Sequence, residues 1–189
     1  MTTLVNFSGL PGTGKSTHAN RLAREQKWPI LRIDDVVGFV PENAGIAFWD
    51  SCVEVLLTLV ESQLELGISV IADSVFMNTD RHHAQAVAIK HQSTFRPVYT
   101  FLSDDAVWEA RVTARANELN HPDVSTWEQV QHQRDHFRIW EPDTALFVDA
   151  LNPVDQNYSK VLEFATGRSV ELKPLEMPDK PLIKGSYHA

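Results

Sequence analysis

The chain has 189 residues, 43% hydrophobic and 22% charged, with a net charge of −8, the composition of one globular domain with a substantial core. The acidic balance argues against a surface built to track a nucleic-acid backbone, though not against a small local basic site, and no apolar run reaches the ~20 residues of a membrane span. The lone Cys52 lies in an apolar helical pattern and reads as a buried thiol, and the N-terminus runs straight into a strand with no room for a cleaved signal, so the cytoplasm is expected.

Thr3–Ser8 is the first expected strand. It leads into Gly9-Leu10-Pro11-Gly12-Thr13-Gly14-Lys15-Ser16, a complete G-x-x-x-x-G-K-[ST] loop, and a helix over Ser16–Gln26 follows. Glycines at 9, 12 and 14 let the backbone turn tightly and bring its N–H groups close to phosphate oxygens. The helix N-terminus aims its dipole at the same anion. Lys15 is expected on the β- and γ-phosphates and the Ser16 hydroxyl on Mg²⁺. The expected nucleotide-binding residues are Gly9, Pro11, Gly12, Thr13, Gly14, Lys15, Ser16 and Thr17, together with Arg115 further along the chain, with ATP and Mg²⁺ as ligands. The loop alone leaves open where the γ-phosphoryl goes.

A short strand over Ile30–Ile33 ends at Asp34-Asp35. Helical spacing of Phe48, Cys52, Val55, Leu56, Leu59 and Val60 predicts a helix over Ala47–Leu66, with Gly67 as its stop. Ser69–Asp73 reads as a buried strand, Thr79–His91 as a helix and Pro97–Leu102 as a fourth strand. Ser103-Asp104-Asp105 starts a helix over Ala106–Asn117, and Ser125-x-x-Glu128 reads as a capping box for a helix over Thr126–Ile139. Ala145–Val148 is the last strand. Asn152 as N-cap and Pro153 at the first turn begin the last helix, Pro153–Thr166, which Gly167 stops. This order predicts an α/β three-layer sandwich, a five-stranded, mostly parallel sheet with helices on both faces. From about Ser169 the chain reads as an irregular, proline-broken tail.

In such sheets ligands sit at the carboxyl ends of the strands. Asp73 ends an apolar strand there and is expected to hold Mg²⁺ with Ser16; a turn cap is the alternative. Asp34, then Asp35, is placed to accept the proton of an acceptor hydroxyl, although one of the pair can equally cap a helix. Arg111 and Arg115 are four apart and share a helix face next to the polar segment 118–124, which suggests a lid closing arginines over the phosphates rather than a solvated face. Arg81 is divided between the acceptor pocket or phosphates and a structural salt bridge. Trp49, Phe76 and Trp108 are candidates for a pocket wall or for the core. His132 and His136 are four apart without a third ligand nearby, and His82-His83 point different ways, so all four read as surface histidines.

Gly-Leu-Pro-Gly-Thr-Gly-Lys-Ser-Thr (9–17), Arg-Ile-Asp-Asp (32–35), Val-Ile-Ala-Asp-Ser-Val-Phe-Met-Asn-Thr-Asp-Arg (70–81) and Arg-Val-Thr-Ala-Arg (111–115) together resemble the small P-loop kinases related to phage polynucleotide 5′-kinase, zeta-type toxins and chloramphenicol phosphotransferase. The resemblance, to an AAA-type kinase, spans roughly residues 3–150. It implies a P-loop NTPase sandwich with a helical lid, residues 1–168 as the kinase domain with the lid at about 111–126, and 169–189 as the tail. It implies transfer of the γ-phosphoryl of ATP, with Asp34 as general base and Arg111 and Arg115 as lid arginines. The polynucleotide kinases carry an arginine three residues beyond the base, where this chain has Val37. A small-molecule acceptor is therefore expected ahead of a polynucleotide 5′-hydroxyl, a nucleotide-sugar or a regulatory switch that transfers to nothing. The residues do not fix the oligomeric state.

Overall fold

The computed structural model describes residues 1–40, 48–76, 79–119, 125–141, 143–167 and 172. In chain order the elements are β1 (Thr3–Ser8), α1 (Lys15–Gln26), β2 (Ile30–Arg32), α2 (Ile33–Val37), α3 (Phe48–Glu65), β3 (Val70–Asp73), α4 (Asp80–Lys90), β4 (Thr94–Phe101), α5 (Asp105–Leu119), α6 (Trp127–His136), β5 (Leu146–Asp149) and α7 (Val154–Ala165). The strands form one five-stranded sheet in the order β2-β3-β1-β4-β5, with every pairing parallel. β1 is therefore the strand at which the order reverses. The crevice beyond the carboxyl ends of β1 and β3 is where such a sheet binds its ligand.

Alternation along the strands sorts side chains to two faces. Val5 and Phe7 of β1, Ile71 of β3, Val98 of β4 and Val148 of β5 pack on α1 and α7 through Ala19, Leu22, Tyr158, Val161 and Phe164. On the other face Leu4, Val70 and Ala72 meet α3 and α4, and Tyr99 meets α5 and α6. α3 shows why its sequence is helical: Cys52, Val53, Leu56, Leu57, Val60 and Leu64 are buried at three- and four-residue steps. Removing one such buried side chain, as in Leu22→Ala, costs about 2–5 kcal/mol.

Several boundaries differ from expectation for local reasons. β2 ends at Arg32, and Asp34-Asp35 lie in the first turn of α2 rather than in a turn. β4 begins at Thr94, three residues early, because it pairs with the whole of β1 from Thr3. The capping box is Thr126 with Gln129, not Ser125 with Glu128: the Thr126 hydroxyl accepts from the Gln129 N–H, and the Gln129 side chain accepts from the Thr126 N–H. α6 ends at His136 because Phe137 turns to an extended backbone. Pro153, not Asn152, is the N-cap of α7, and it offers no side-chain cap. The expected tail lies outside the described residues apart from Leu172, which packs on the α1–α7 core. Among the described residues no helix is long and apolar enough to cross a membrane.

Candidate active site

The loop between β1 and α1 is held from three sides. Gly9 has φ +137°, and a Cβ there would lie 2.2 Å from the Thr100 carbonyl oxygen, so no larger residue lets the chain cross the end of β4. The Gly9 N–H donates to the Val75 carbonyl at 3.3 Å, joining the loop to the end of β3. The buried Thr13 hydroxyl meets Leu10 O at 2.7 Å and Thr100 Oγ1 at 2.8 Å, so its side chain faces the protein and only its backbone faces outward. Trp108 of α5 donates from Nε1 to Pro11 O at 2.8 Å. Gly14, at φ 84°, is the left-handed residue that starts α1.

Above this loop opens a cavity of about 550 Å³. Pro11, Gly12, Lys15, Ser16 and Arg115 form one wall, Asp73, Ser74 and Val75 the floor, and Ile33, Asp34, Val37 and Gly38 the opposite wall. Lys15 is half-buried and folds back over the loop, donating from Nζ to Leu10 O at 3.1 Å. Burial pulls its pKa below the ordinary lysine value, against the carboxylates of Asp73 and Asp34, and the Arg115 guanidinium adds to the pull.

Asp73 is almost wholly buried, and burial pushes its carboxyl pKa up; the Lys15 ammonium and a hydrogen bond from Ser16 act against that shift. The carboxylate thus waits for positive charge that Lys15 only partly supplies. Beside it the buried Ser74 hydroxyl has no hydrogen-bond partner among the described residues. A buried hydroxyl without a partner costs free energy, and a ligand in the cavity would relieve it. These features fit a phosphate-bound Mg²⁺, whose coordination is completed by waters and phosphate oxygens.

The structure separates the paired candidates. Asp34 lines the cavity, while Asp35 turns away to Arg32 at 3.5 Å. Arg115 lines the cavity, while Arg111 donates to Ala150 O at 3.1 Å, on the loop after β5. The two arginines therefore take different places: Arg115 lines the cavity, and Arg111 is held at Ala150, which lies beside Gly14 of the loop. Segment 120–124, the centre of the expected lid, lies outside the described residues.

Arg81 is fully buried in a salt bridge with Glu141 at 3.3 Å, with Ile139 O accepting a second bond at 3.3 Å. The salt-bridge alternative is the one the structure takes. Phe76 is core, buried with a left-handed φ of 46° that turns the chain after Val75. Trp108 braces the loop, and Trp49 donates to Asp80 Oδ2 at 3.3 Å. Cys52 is buried as expected. His82 and His83 are half-buried rather than surface groups, and burial lowers both pKa values. His132 and His136 are exposed, and among the described residues no cluster of three His, Cys, Asp or Glu could hold a metal.

Sequence reasoning missed the residues that act through packing. Thr100 holds Thr13, and Val112 meets the loop at Gly12, where a Cβ would lie 2.8 Å from its methyl. Neither has a motif. Ser125 also lines the cavity without one; Ser74 was marked only by its place after Asp73, Ile33 only as part of Arg-Ile-Asp-Asp, and Val37 and Gly38 belong to the segment 36–50 expected to shape the acceptor pocket. A second cavity of about 410 Å³ lies behind the loop among Tyr99, Phe101, Trp108 and Phe137, and none of the described residues that line it is a carboxylate.

The family model described as AAA domain matches residues 4–139. Solved structures of similar fold include a sugar kinase from Janibacter sp. HTCC2649 (TM-score 0.65, 18% identity, 87% of this chain and 94% of that one). A gluconokinase from Sinorhizobium meliloti 1021 aligns with TM-score 0.65 and 17% identity over 88% of this chain and 92% of that one. The Mycobacterium tuberculosis APS kinase in complex with AMPPNP and APS aligns with TM-score 0.64 and 19% identity over 86% and 96%. At these identities the structures establish a shared fold. No curated protein sequence matches the chain. With more than half of its length matched, the chain belongs to the AAA domain family.

Proposed function

We propose that this AAA-family chain is an ATP- and Mg²⁺-dependent phosphotransferase that moves the γ-phosphoryl group of ATP to a hydroxyl of a small-molecule acceptor. One observation carries the reading: a single cavity is lined by the phosphate loop on one side and by the exposed Asp34 on the other, with Asp73 between them. A protein that only bound ATP would need the loop and not a facing base.

The loop amides and Lys15 hold the β- and γ-phosphates, and Arg115 offsets charge on the transferring group from the α5 side. Mg²⁺, held by Ser16 and Asp73, would neutralise charge on the phosphate oxygens. Asp34 takes the proton of the acceptor hydroxyl as that oxygen bonds to the γ-phosphorus; the bond to the β–γ bridging oxygen breaks and ADP leaves. Arg111, held at Ala150, walls the nucleotide side rather than touching the reacting phosphate.

The test is ADP release by the purified chain with Mg²⁺-ATP, alone and with pooled hydroxylated compounds, nucleosides and a 5′-hydroxyl oligonucleotide. Stimulation by a small-molecule pool, lost in Lys15→Ala, is the expected result. Labelling of the oligonucleotide alone would replace the small acceptor by a nucleic acid. Turnover indifferent to every pool would remove the transferase reading.

A further inference from the structure

The cavity of about 410 Å³ behind the phosphate loop takes no part in the function proposed above. Its size falls within the ~300–1,000 Å³ of small-molecule sites. Exposed Ser103, Arg134, Ile139 and Phe147 stand at its mouth, and buried Leu10 and Thr13 of the loop form its base. Between mouth and base the walls are rings. The Tyr99 ring lies 13° from the plane of Phe101, with centroids 5.9 Å apart, and 15° from that of Phe137, at 5.7 Å. Phe147 meets Tyr99 edge-on at 5.2 Å. Parallel faces and an edge offer a flat ring both of the contacts that aromatic pairs prefer. A polar group meets these rings. Tyr99 is only 7% exposed, and its hydroxyl forms no hydrogen bond among the described residues. Burial raises the phenol's pKa while Arg134 pulls against it, so the hydroxyl lies near that guanidinium and stays a donor at neutral pH. The Arg134 charge is itself matched by Asp105, at 2.9 and 3.0 Å.

We infer that this cavity is a second ligand site, taking an uncharged, flat aromatic molecule with a hydrogen-bond acceptor for Tyr99, and that its occupancy tightens ATP binding at the loop. The inference goes beyond the transferase reading and needs only that the loop binds ATP. The coupling follows from what the base of the cavity holds. The Leu10 carbonyl accepts from the Thr13 hydroxyl at 2.7 Å and from Lys15 Nζ at 3.1 Å. Trp108, on the cavity wall, donates to Pro11 O at 2.8 Å. An empty cavity leaves Leu10, Thr13 and Trp108 without packing partners on that side, and a seated ring supplies them. The groups that shape the loop are then held more firmly before the nucleotide arrives. By linkage ATP must strengthen the aromatic ligand by the same factor.

The test uses the full chain and four probes: quinolin-2(1H)-one, its 4-carboxylate, indole, which lacks the carbonyl acceptor, and cyclohexanol, which is not flat. Binding is followed by calorimetry, with and without saturating ATP, and ATP is titrated with and without probe. Quinolin-2(1H)-one is expected to bind with Kd below ~1 mM, at least ~10-fold tighter than cyclohexanol or the carboxylate. It should lower the Kd for ATP by ~5-fold or more, and ATP should lower its Kd equally. Tyr99→Phe should weaken quinolin-2(1H)-one by ~3–10-fold and leave indole unchanged. Ile139→Trp, at the exposed mouth, should abolish both binding and coupling while the Kd for ATP alone stays the same. Absence of probe binding, an ATP affinity indifferent to bound probe, displacement of the probe by ATP, or binding that survives both substitutions each overturns the inference and leaves the transferase reading standing. A chain that binds no ATP at all overturns the coupling and the transferase reading together.

Discussion

The two walls of one cavity are built differently. The nucleotide wall is tied down many times over: Gly9 to Val75, Thr13 to Leu10 and Thr100, Pro11 to Trp108. The acceptor wall is the five-residue helix α2, with Asp34 exposed in its first turn and Phe39 standing in solvent just beyond its end. In the phosphotransferase proposed above, the heavily braced wall would face the triphosphate, and the acceptor would face a short helix held by Ile33 and Val36 in the core. Positioning of this kind is most effective when the donors are fixed before the ligand arrives.

Breaking the nucleotide wall should have the largest effect. Lys15→Met is expected to lower kcat/KM for ATP by about 10³-fold with no loss of thermal stability, since burial already disfavours the ammonium; steady-state kinetics and a melting curve check both halves. Asp73→Asn is expected to lower Mg²⁺-dependent turnover by about 10²-fold and to raise the melting temperature of the nucleotide-free protein. Burial raises the folded-state pKa of Asp73, so the cost of its charge is absent below the ordinary carboxylate range and appears as pH rises through the elevated value. The stability gain of Asp73→Asn should accordingly vanish at acid pH and grow across that window in a denaturation series.

A smaller effect is expected one layer back. Thr100→Val removes the hydroxyl that joins Thr13 to Ser8 O and should cost about 1–2 kcal/mol in unfolding free energy, with weaker ATP binding because the loop loses a support. Smallest of all is Phe39→Ala on the acceptor wall. It should change stability by no more than about 0.5 kcal/mol and raise KM for the acceptor without changing KM for ATP; equal effects on both would erase the distinction between the walls.

The same contrast governs what the sequence made legible. The phosphate loop was readable because its function fixes residue types at fixed spacing, and the sheet because β1 and β3 carry apolar residues, Leu4, Val5 and Phe7 in one and Val70–Ala72 in the other. The choice of Asp34 over Asp35 was not, since it depends on α2 being helical: adjacent residues on a helix point about 100° apart, and Arg32 captures the second carboxylate. Arg81 could not be placed from sequence either, because its partner Glu141 is 60 residues away. The helical spacing of Arg111 and Arg115 was read correctly, but their division followed from Ala150, on a loop after a strand with which α5 shares no sequence signal. The capping box slipped by one residue because Ser-Thr and Glu-Gln offer two registers, and packing of Val130, fully buried, chooses between them.

The most direct measurement is made on Asp34→Asn, reading ATP affinity by titration and phosphoryl transfer by product formation on the same sample. If the two walls are separate in function, ATP affinity is unchanged and transfer falls by about 10²–10⁴-fold. A loss of ATP affinity as large as the loss of transfer would place Asp34 on the nucleotide side and contradict the division of the cavity.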